Sequence, residues 1–256
     1  MCYGPDSRPP IAPIAGAAVD SQIVVLTCAD GTRSLACIAD APEPTGAGVL
    51  ILPDVRGLHS FYQELALRFA EAGIDALVID YFGRTAGTDA RTPDFDFMAH
   101  VSQARYEQLV LDMAAGADEL RRRRPHVRRL FSVGFCFGGR LAFASATQSE
   151  LDLAGVVGFY GVPHGAGRAG IPAPTEVATQ MRTPVLGLFG GDDPAIPTEA
   201  IADFERALTE AVVEHELVTY PGAPHSFFDR KSEQFVAESA DAWQRVLAFV
   251  GSRAAA

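Results

Sequence analysis

The stretch that decides the fold of this 256-residue chain reads Leu130-Phe131-Ser132-Val133-Gly134-Phe135-Cys136-Phe137-Gly138-Gly139. Its apolar beginning predicts a buried strand, and the residues that follow it, Arg140 to Ala144, predict a helix. Cys136 lies at the change from strand to helix, with one glycine two residues before it and another two residues after it. Because glycine has no side chain, it lets two backbones approach closely, so we expect Cys136 at a sharp turn.

A cysteine at such a turn has two interpretations. One is a small buried thiol that only packs, since free cysteine is among the residue types most often buried. The other is a reactive residue, since a strand, Gly-x-nucleophile-x-Gly and a helix form the nucleophile elbow of the α/β-hydrolases. The paired glycines and the switch from strand to helix favour the second interpretation, in which Cys136 attacks the substrate.

Most of the chain alternates apolar runs with helix-like segments. Strands are expected at residues 48–52, 74–80, 130–134, 154–160, 185–190 and 214–220, and helices at residues 62–72, 103–124, 138–148, 199–212 and 233–250. Unbroken apolar strands predict burial on both faces, and strands that alternate with helices predict a mainly parallel sheet. The expected fold class is therefore α/β, an α/β-hydrolase fold with helices on both faces of a mainly parallel central sheet.

The beginning of the chain does not share this pattern. Residues 1–20 are rich in proline, alanine and glycine, which predicts an extended N-terminal arm outside a single domain of residues 21–256. Two apolar segments, 21–28 and 32–40, flank Asp30-Gly31, a sequence typical of tight turns. An N-terminal β-hairpin is therefore expected before the alternating region.

Composition argues against several classes of function. The net charge of −11 disfavours nucleic acid and anionic membranes as partners. The four cysteines fit no zinc or redox pattern, and neither a metal motif nor a nucleotide-binding glycine motif is present, so no metal and no cofactor is expected. The first residues lack a secretion signal and no apolar run is long enough to span a membrane, which predicts a cytoplasmic location. The sequence does not predict an oligomeric state.

A cysteine nucleophile needs a general base and an acid that orients the base. In α/β-hydrolases the acid and then the base follow the nucleophile along the chain, each on a loop after a strand. His225 lies between the last predicted strand and the last predicted helix, whereas His215 lies inside that strand and His164 precedes any candidate acid. The predicted strand at 185–190 runs into a loop with Asp192 and Asp193, either of which could be the acid, and the spacing does not choose between them.

Together these motifs resemble the dienelactone hydrolase (carboxymethylenebutenolidase) family over most of residues 21–250. The resemblance rests on the Gly-x-Cys-x-Gly-Gly elbow, a Gly-x-x-Asp-x-x-x-Pro acid loop at 190–197 and a Gly-x-x-His-x-Phe base loop at 222–227. It implies a catalytic triad of Cys136, Asp193 and His225, and so chooses between the two aspartates.

The resemblance also implies roles for residues around the cysteine. Asp54 stands where the family has an acidic residue that accepts a hydrogen bond from the resting thiol, and the alternative is a solvated loop carboxylate. The backbone N–H groups of Val55 and Phe137 are expected to form the oxyanion hole, which stabilises the negative charge that develops on the substrate oxygen.

Two arginines are expected to bind a substrate carboxylate. Arg84 matches an Asp-x-x-Gly-Arg segment of the family, and its planar guanidinium suits a carboxylate, with a loop clamp to Asp80 or Asp89 as the alternative. The family's second arginine stands four residues after the histidine, where this chain has Asp229, and Arg230 follows one residue later. This departure weakens the expectation that the substrate is an anionic lactone.

The sequence therefore predicts an enzyme that cleaves a small lactone or carboxylic ester through a Cys-His-Asp triad and an acyl-enzyme. Thioester hydrolysis or acyl transfer on the same triad is the alternative. A third hypothesis is a binding protein that keeps the hydrolase fold but does not catalyse a reaction. Residues 91–102, with several apolar side chains, are expected to form either a lid over the pocket or an ordinary surface loop.

Overall fold

The computed structural model describes residues 8–13, 19–92 and 94–254. The strands in this part are β1 (Ser21–Thr27), β2 (Arg33–Ala39), β3 (Ala47–Leu52), β4 (Asp75–Ile79), β5 (Arg129–Phe135), β6 (Leu153–Phe159), β7 (Val185–Gly190) and β8 (His215–Tyr220). The α-helices are α1 (Ser60–Glu71), α2 (Gly83–Ala86), α3 (Phe97–Val101), α4 (Tyr106–Arg123), α5 (Phe137–Ser145), α6 (Pro174–Val177), α7 (Thr198–Glu210) and α8 (Val236–Ala254).

The strands form one sheet in the order β1-β2-β4-β3-β5-β6-β7-β8. The six strands from β3 to β8 are parallel to one another. β1 and β2 form an antiparallel hairpin, and β2 joins β4 in antiparallel register. This topology confirms the predicted α/β-hydrolase fold, with its mainly parallel sheet and N-terminal hairpin.

Alternate residues of the central strands pack into two separate cores. Val49 and Ile51 of β3 belong to the core that includes α1 and α8, whereas Leu50 and Leu52 belong to the core that includes α4. All four side chains are fully buried. Burying one such aliphatic side chain contributes about 1.5–3 kcal/mol, so the unbroken apolar runs in the sequence stabilise both faces of the sheet.

Several boundaries differ from the sequence-based expectation. The last helix begins at Val236 rather than at residue 233, because residues 225–235 form successive turns, one of them closed by the Lys231 amide on the Ser226 carbonyl oxygen. The short helices α2, α3 and α6 were not predicted, since four or five residues carry no recognisable periodicity. Of the predicted arm, residues 1–7 and 14–18 lie outside the described residues, and Arg8 pairs with Glu64 of α1 at 3.6 Å.

Gly116 lets α4 lie close to the sheet. A methyl group on this residue would lie 2.8 Å from the side-chain methyl groups of Ile79 and Leu50, both of which are fully buried. The distance is shorter than a normal carbon–carbon contact, so α4 or the strands would have to move.

We expect Gly116→Ala to lower the free energy of unfolding by about 1–3 kcal/mol, the usual cost of overpacking a filled core. Gly251→Ala in α8 is the matched control, because nothing lies within 4 Å of the new methyl group there. The control should be neutral, or more stable by up to about 1 kcal/mol through helix propensity. Urea denaturation of both variants measures the difference, and equal stabilities would show that α4 can shift without cost.

Candidate active site

Cys136 lies between β5 and α5 in a strained backbone conformation. Its φ of 55° and ψ of −110° are values that residues other than glycine rarely adopt. A side chain on Gly134 would overlap the backbone of Gly138, and one on Gly138 would overlap the carbonyl oxygen of Leu52. The Cys136 amide donates to the Phe159 carbonyl oxygen at 3.0 Å, and the residue is partly exposed. The chain therefore makes the sharp strand-to-helix turn that the sequence predicts.

The acid and base loops meet beyond the ends of β7 and β8. Nδ1 of His225 lies 2.6 Å from Oδ2 of Asp193, and because an ionised carboxylate only accepts, His225 donates this hydrogen bond. Oδ1 of Asp193 accepts from the Ala195 amide at 2.9 Å, so both oxygens of this buried carboxylate are held. Gly190 permits the approach of the two loops, since a side chain there would overlap the carbonyl oxygen of Ala223.

The other candidate acids and bases lie elsewhere. Asp192 is exposed, and its amide donates to the Ala223 carbonyl oxygen. His164 is exposed on the loop after β6, and His215 is the first residue of β8, with Nδ1 2.7 Å from the Val213 carbonyl oxygen. Of these residues, the structure brings Asp193 and His225 together.

Tyr160 connects the turn at Cys136, the proposed nucleophile turn, with the base loop. Its ring centroid lies 4.9 Å from that of His225 and 6.4 Å from that of Phe135, the residue before Cys136. Its hydroxyl donates to Oδ2 of Asp229 at 2.7 Å. The sequence analysis missed Tyr160; its position at the end of a predicted strand was the available signal, because parallel strands deliver functional residues at their carboxyl ends.

The loop after β3 lies against the beginning of α5. The amides of Asp54, Arg56 and Gly57 all donate within the protein, at 2.9 to 3.1 Å. The two remaining amides near the turn are those of Val55 and Phe137, and no residue in the described part of the chain accepts a hydrogen bond from either. Two such donors beside a nucleophile are what an oxyanion hole requires.

Asp54 is fully buried, which differs from the solvated carboxylate considered as the alternative. Its Oδ1 accepts from the Arg56 amide at 2.9 Å. Burial, reinforced by the charge of Asp54 and other nearby acids, raises the pKa of Tyr81 well above its ordinary value. Tyr81 therefore stays protonated and donates to the Pro53 carbonyl oxygen at 2.8 Å, which helps to hold this loop.

The guanidinium of Arg84 is bound by two carboxylates of the protein itself. Nη1 lies 2.7 Å from Oδ1 of Asp112, and Nη2 lies 2.9 Å from Oδ2 of Asp30. The Cys28 thiol donates to the same Asp112 oxygen at 3.2 Å. Burial raises the pKa of Asp112 to about 6, against the lowering effect of Arg84, and burial beside Asp112 raises the pKa of Cys28 to about 12. This arrangement favours the clamp alternative for Arg84, with different partners from those expected.

Asp80, one of the partners expected for Arg84, instead pairs with Arg91 at 2.6 Å. The guanidinium of Arg91 also lies over the ring of Phe95, 5.0 Å from its centroid. The Phe95 ring stacks on that of His100 at 4.6 Å within the segment, and both rings contact the buried ring of Phe82, at 5.5 and 5.8 Å. Phe97 of this segment lies under the guanidinium of Arg56, on the loop after β3.

The positions around the second expected arginine are occupied differently. Asp229 is buried, and its Oδ1 accepts from the Arg230 amide. The Arg230 residue is itself exposed. The position at which the resemblance implies an arginine is therefore occupied by the buried carboxylate of Asp229, and the neighbouring Arg230 lies at the surface.

Arg140 is a second residue that the sequence analysis missed. It lies in the first turns of α5, is 5% exposed and donates to the carbonyl oxygens of four residues in the loop after β6, namely Val162, His164, Gly165 and Ile171. Burial lowers its pKa from the usual arginine value. Its bonds fix the beginning of α5 relative to the end of β6.

No cluster of histidine, cysteine, aspartate or glutamate that could hold a metal ion occurs within residues 8–13, 19–92 and 94–254. Over the same ranges, every helix is too short or too polar to cross a bilayer. The cytoplasmic location and the absence of a nucleic-acid partner stay predictions.

The strand order and the strained turn at the end of β5 define an α/β-hydrolase. Within this class the chain belongs to the dienelactone hydrolase family, whose model matches residues 35–253, and the predicted family is confirmed. The protein is thus a hydrolase of this family.

Individual relatives agree with this assignment. The chain is 32% identical over 220 residues to the carboxymethylenebutenolidase of Rhodococcus opacus, covering 82% of this chain and 83% of the relative. It is 30% identical over 212 residues to the "Putative carboxymethylenebutenolidase" of Escherichia coli strain K12, covering 82% and 77%. A solved structure titled "Putative Dienelactone Hydrolase" from Klebsiella pneumoniae superposes with a TM-score of 0.78 at 26% identity, covering 91% of this chain and 99% of that one.

We expect Arg84→Ala to destabilise the fold by about 3 kcal/mol, because removing one partner of a buried ion pair leaves the other charge uncompensated. The pKa of Asp112 is already raised to about 6 and should rise further without Arg84. A carboxyl whose pKa is raised by folding loses its favourable contribution as the pH rises through that pKa, so the deficit should be larger at pH 8 than at pH 5.

Arg230→Ala is the matched control for this variant and should change stability by less than about 0.5 kcal/mol, since the residue is exposed. Chemical denaturation at the two pH values measures both variants. Unchanged stability of Arg84→Ala, together with a selective loss of activity on carboxylate-bearing esters, would restore the substrate-binding role.

Proposed function

We propose that the protein hydrolyses a small lactone or carboxylic ester through a triad of Cys136, His225 and Asp193 and an acyl-enzyme. Membership of the dienelactone hydrolase family supports the class of reaction. The observation that carries the assignment of residues is the 2.6 Å contact between Nδ1 of His225 and the buried Asp193 carboxylate, at the same edge of the sheet as the strained Cys136.

In the proposed reaction, Nε2 of His225 takes the proton from the Cys136 thiol, and the sulfur attacks the acyl carbon. The amides of Val55 and Phe137 stabilise the charge on the acyl oxygen. The carbon–oxygen bond then breaks as His225 returns its proton to the leaving oxygen. A water molecule, deprotonated by His225, attacks the resulting thioester and releases the acid and the thiol. Asp193 orients His225 and stabilises its charged form.

Asp54 has a proposed role in the resting enzyme, supported by a parallel with Asp193. In both residues Oδ1 accepts from the amide two residues later, at 2.9 Å. That bond fixes the loop and leaves the second oxygen to act on another residue, which for Asp193 is His225. We propose that the second oxygen of Asp54 accepts from the Cys136 thiol, so that the thiol is held protonated until substrate binds.

The placement of charges favours a neutral substrate over an anionic one. Arg84 is occupied by Asp30 and Asp112, and Asp229 adds a buried carboxylate on the base loop. The net charge of −11 also repels anions at long range. We therefore propose that Arg84 has a structural role, and that a neutral ester or lactone is a better substrate than a lactone that carries a carboxylate.

We expect Asp193→Asn to lower kcat for a small aryl ester by roughly 10³–10⁴-fold, because the amide no longer favours the tautomer with the proton on Nδ1. Asp192→Asn is the matched control, since it makes the same change in the exposed neighbour, and should retain full activity. Steady-state kinetics with purified proteins compares the two. Equal activity of both variants would remove Asp193 from the triad.

A panel of esters, lactones and thioesters tests the alternative reaction. Thioester rates well above those for any ester or lactone would favour thioester hydrolysis or acyl transfer.

Thiol labelling distinguishes the enzyme from a binding protein that retains only the fold. Burial raises the pKa of Cys28 to about 12 and raises that of Cys37, so both thiols should react slowly with iodoacetamide at pH 7. Cys136 is partly exposed and lies at the N-terminus of α5, so even with its thiol held by Asp54 at rest it should react at least about tenfold faster than the two buried thiols. Mass spectrometry after timed labelling should show Cys136 modified well before Cys28 and Cys37. Equally slow labelling of all three would support the binding protein.

A further inference from the structure

We infer that Tyr160 is a positioning residue for His225, and that its bond to Asp229 holds the base loop at a fixed distance from the nucleophile turn. The inference rests on the proposed function, in which His225 is the base. It assigns a role to a buried tyrosine and a buried aspartate that the triad does not use.

Tyr160 is held in a strained conformation by its surroundings. Its φ is 38°, in the left-handed region, and it is fully buried. The next residue, Gly161, packs directly against Gly139 of α5, where a side chain on either glycine would overlap the other segment's backbone. The chain must therefore turn at Tyr160. Strain of this kind costs about 1–3 kcal/mol and persists only where other contacts compensate for it.

The compensating contacts lie at two points of the base loop. The Tyr160 ring packs on the His225 ring at 4.9 Å and on the Phe227 ring at 5.8 Å. Its hydroxyl reaches Asp229, four residues after His225, with a donor–acceptor distance of 2.7 Å. The tyrosine thus contacts both ends of the segment that begins with the catalytic base.

Contact at two points supplies a restraint that the triad lacks. The hydrogen bond from Nδ1 of His225 to Asp193 fixes one ring atom, and by itself it does not fix the plane of the imidazole. The Tyr160 ring lies against the imidazole with the two ring planes 54° apart, and this contact opposes tilting of the imidazole and so helps to fix the direction in which Nε2 points. Displacement of a catalytic group by about 1 Å can cost on the order of 100-fold in rate, so the restraint bears directly on kcat.

The chemistry of the Tyr160–Asp229 bond suits this role. Asp229 is 3% exposed, and a buried carboxylate needs donors to offset its lost hydration. It receives them from the Tyr160 hydroxyl and from the Arg230 amide. A hydroxyl that donates to a carboxylate forms a stronger bond than one between neutral groups. The aspartate at this position therefore links the base loop to β6, where the family resemblance calls for an arginine that faces substrate.

Tyr160→Phe tests the inference, because it removes the hydroxyl and keeps the ring. Tyr220→Phe is the matched control: the Tyr220 hydroxyl donates to Asp241 at 2.8 Å, and its ring packs on Phe227 at 4.9 Å. We expect Tyr160→Phe to lower kcat for a neutral aryl ester by about 10- to 100-fold with KM changed less than about threefold. Tyr220→Phe should retain kcat within about twofold, whatever its melting temperature.

A second readout does not depend on turnover. It is taken in an Asp54→Asn background, where the carboxylate no longer holds the thiol protonated. There a displaced His225 should stabilise the Cys136 thiolate less, so the pH midpoint for alkylation of Cys136 by iodoacetamide should move upward with Tyr160→Phe and stay unchanged with Tyr220→Phe. Asp229→Asn should act in the same direction, and the double variant should be no worse than Tyr160→Phe alone, because both changes weaken one bond. Should Tyr160→Phe fail to fold, Asp229→Asn tests the bond by itself.

Two results would overturn the inference. One is an unchanged kcat and alkylation midpoint in Tyr160→Phe and Asp229→Asn. The other is a loss of activity that follows melting temperature equally in Tyr160→Phe and Tyr220→Phe, which would mean a purely structural role. If the wild-type protein cleaves no ester but the alkylation midpoint still shifts as expected, the proposed reaction fails while the positioning role stands.

Discussion

The close contact of α5 with the ends of its neighbouring strands is the constraint on which the site depends. Gly138 lies against the carbonyl groups at the end of β3, and Gly139 lies against Phe159 and Gly161 at the end of β6. Because no side chain separates these backbones, the chain before the helix has to turn within one residue, and Cys136 takes the strained conformation. The same contact sets the distances from the helix N-terminus to the loop with Val55 and to Tyr160. One helix therefore fixes the positions of Cys136, the proposed nucleophile, of the expected oxyanion donors and of Tyr160.

Several buried carboxylates follow the carboxyl ends of the strands, and donors of the chain hold each of those named here. Asp54 and Asp193 accept from amides two residues later, whereas Asp80 accepts from the Leu58 amide and from Arg91. Asp229 accepts from the Tyr160 hydroxyl. A buried charge without such donors would cost several kcal/mol. The edge of the sheet is thus rich in acids whose positions are fixed, and such a charge distribution stabilises a nearby cation.

The sequence predicted the parts of this molecule that local patterns encode. The run 185–190 became β7 with the same bounds, and the family assignment made from three short motifs is confirmed. What the sequence did not predict are pairings between distant residues. Arg84 meets partners 54 and 28 residues away, and Tyr160 meets Asp229 at a separation of 69 residues. No periodicity or spacing carries such information, because the fold alone brings these side chains together.

Because of the ion pair between Arg84 and Asp30, the N-terminal hairpin should tolerate insertions and deletions less well than most hairpins do. The tip of a hairpin is ordinarily a permissive place for inserted or deleted residues, since little depends on its conformation. Here the tip supplies one of the two carboxylates on a largely buried guanidinium, and Cys28 beside it bonds to the other carboxylate, that of Asp112 in α4. Lengthening the turn would move the exposed Asp30 away from Arg84 and remove one of the two carboxylates on this largely buried guanidinium. In grafting, tagging or recombination of related domains, the hairpin and α4 should therefore be kept together.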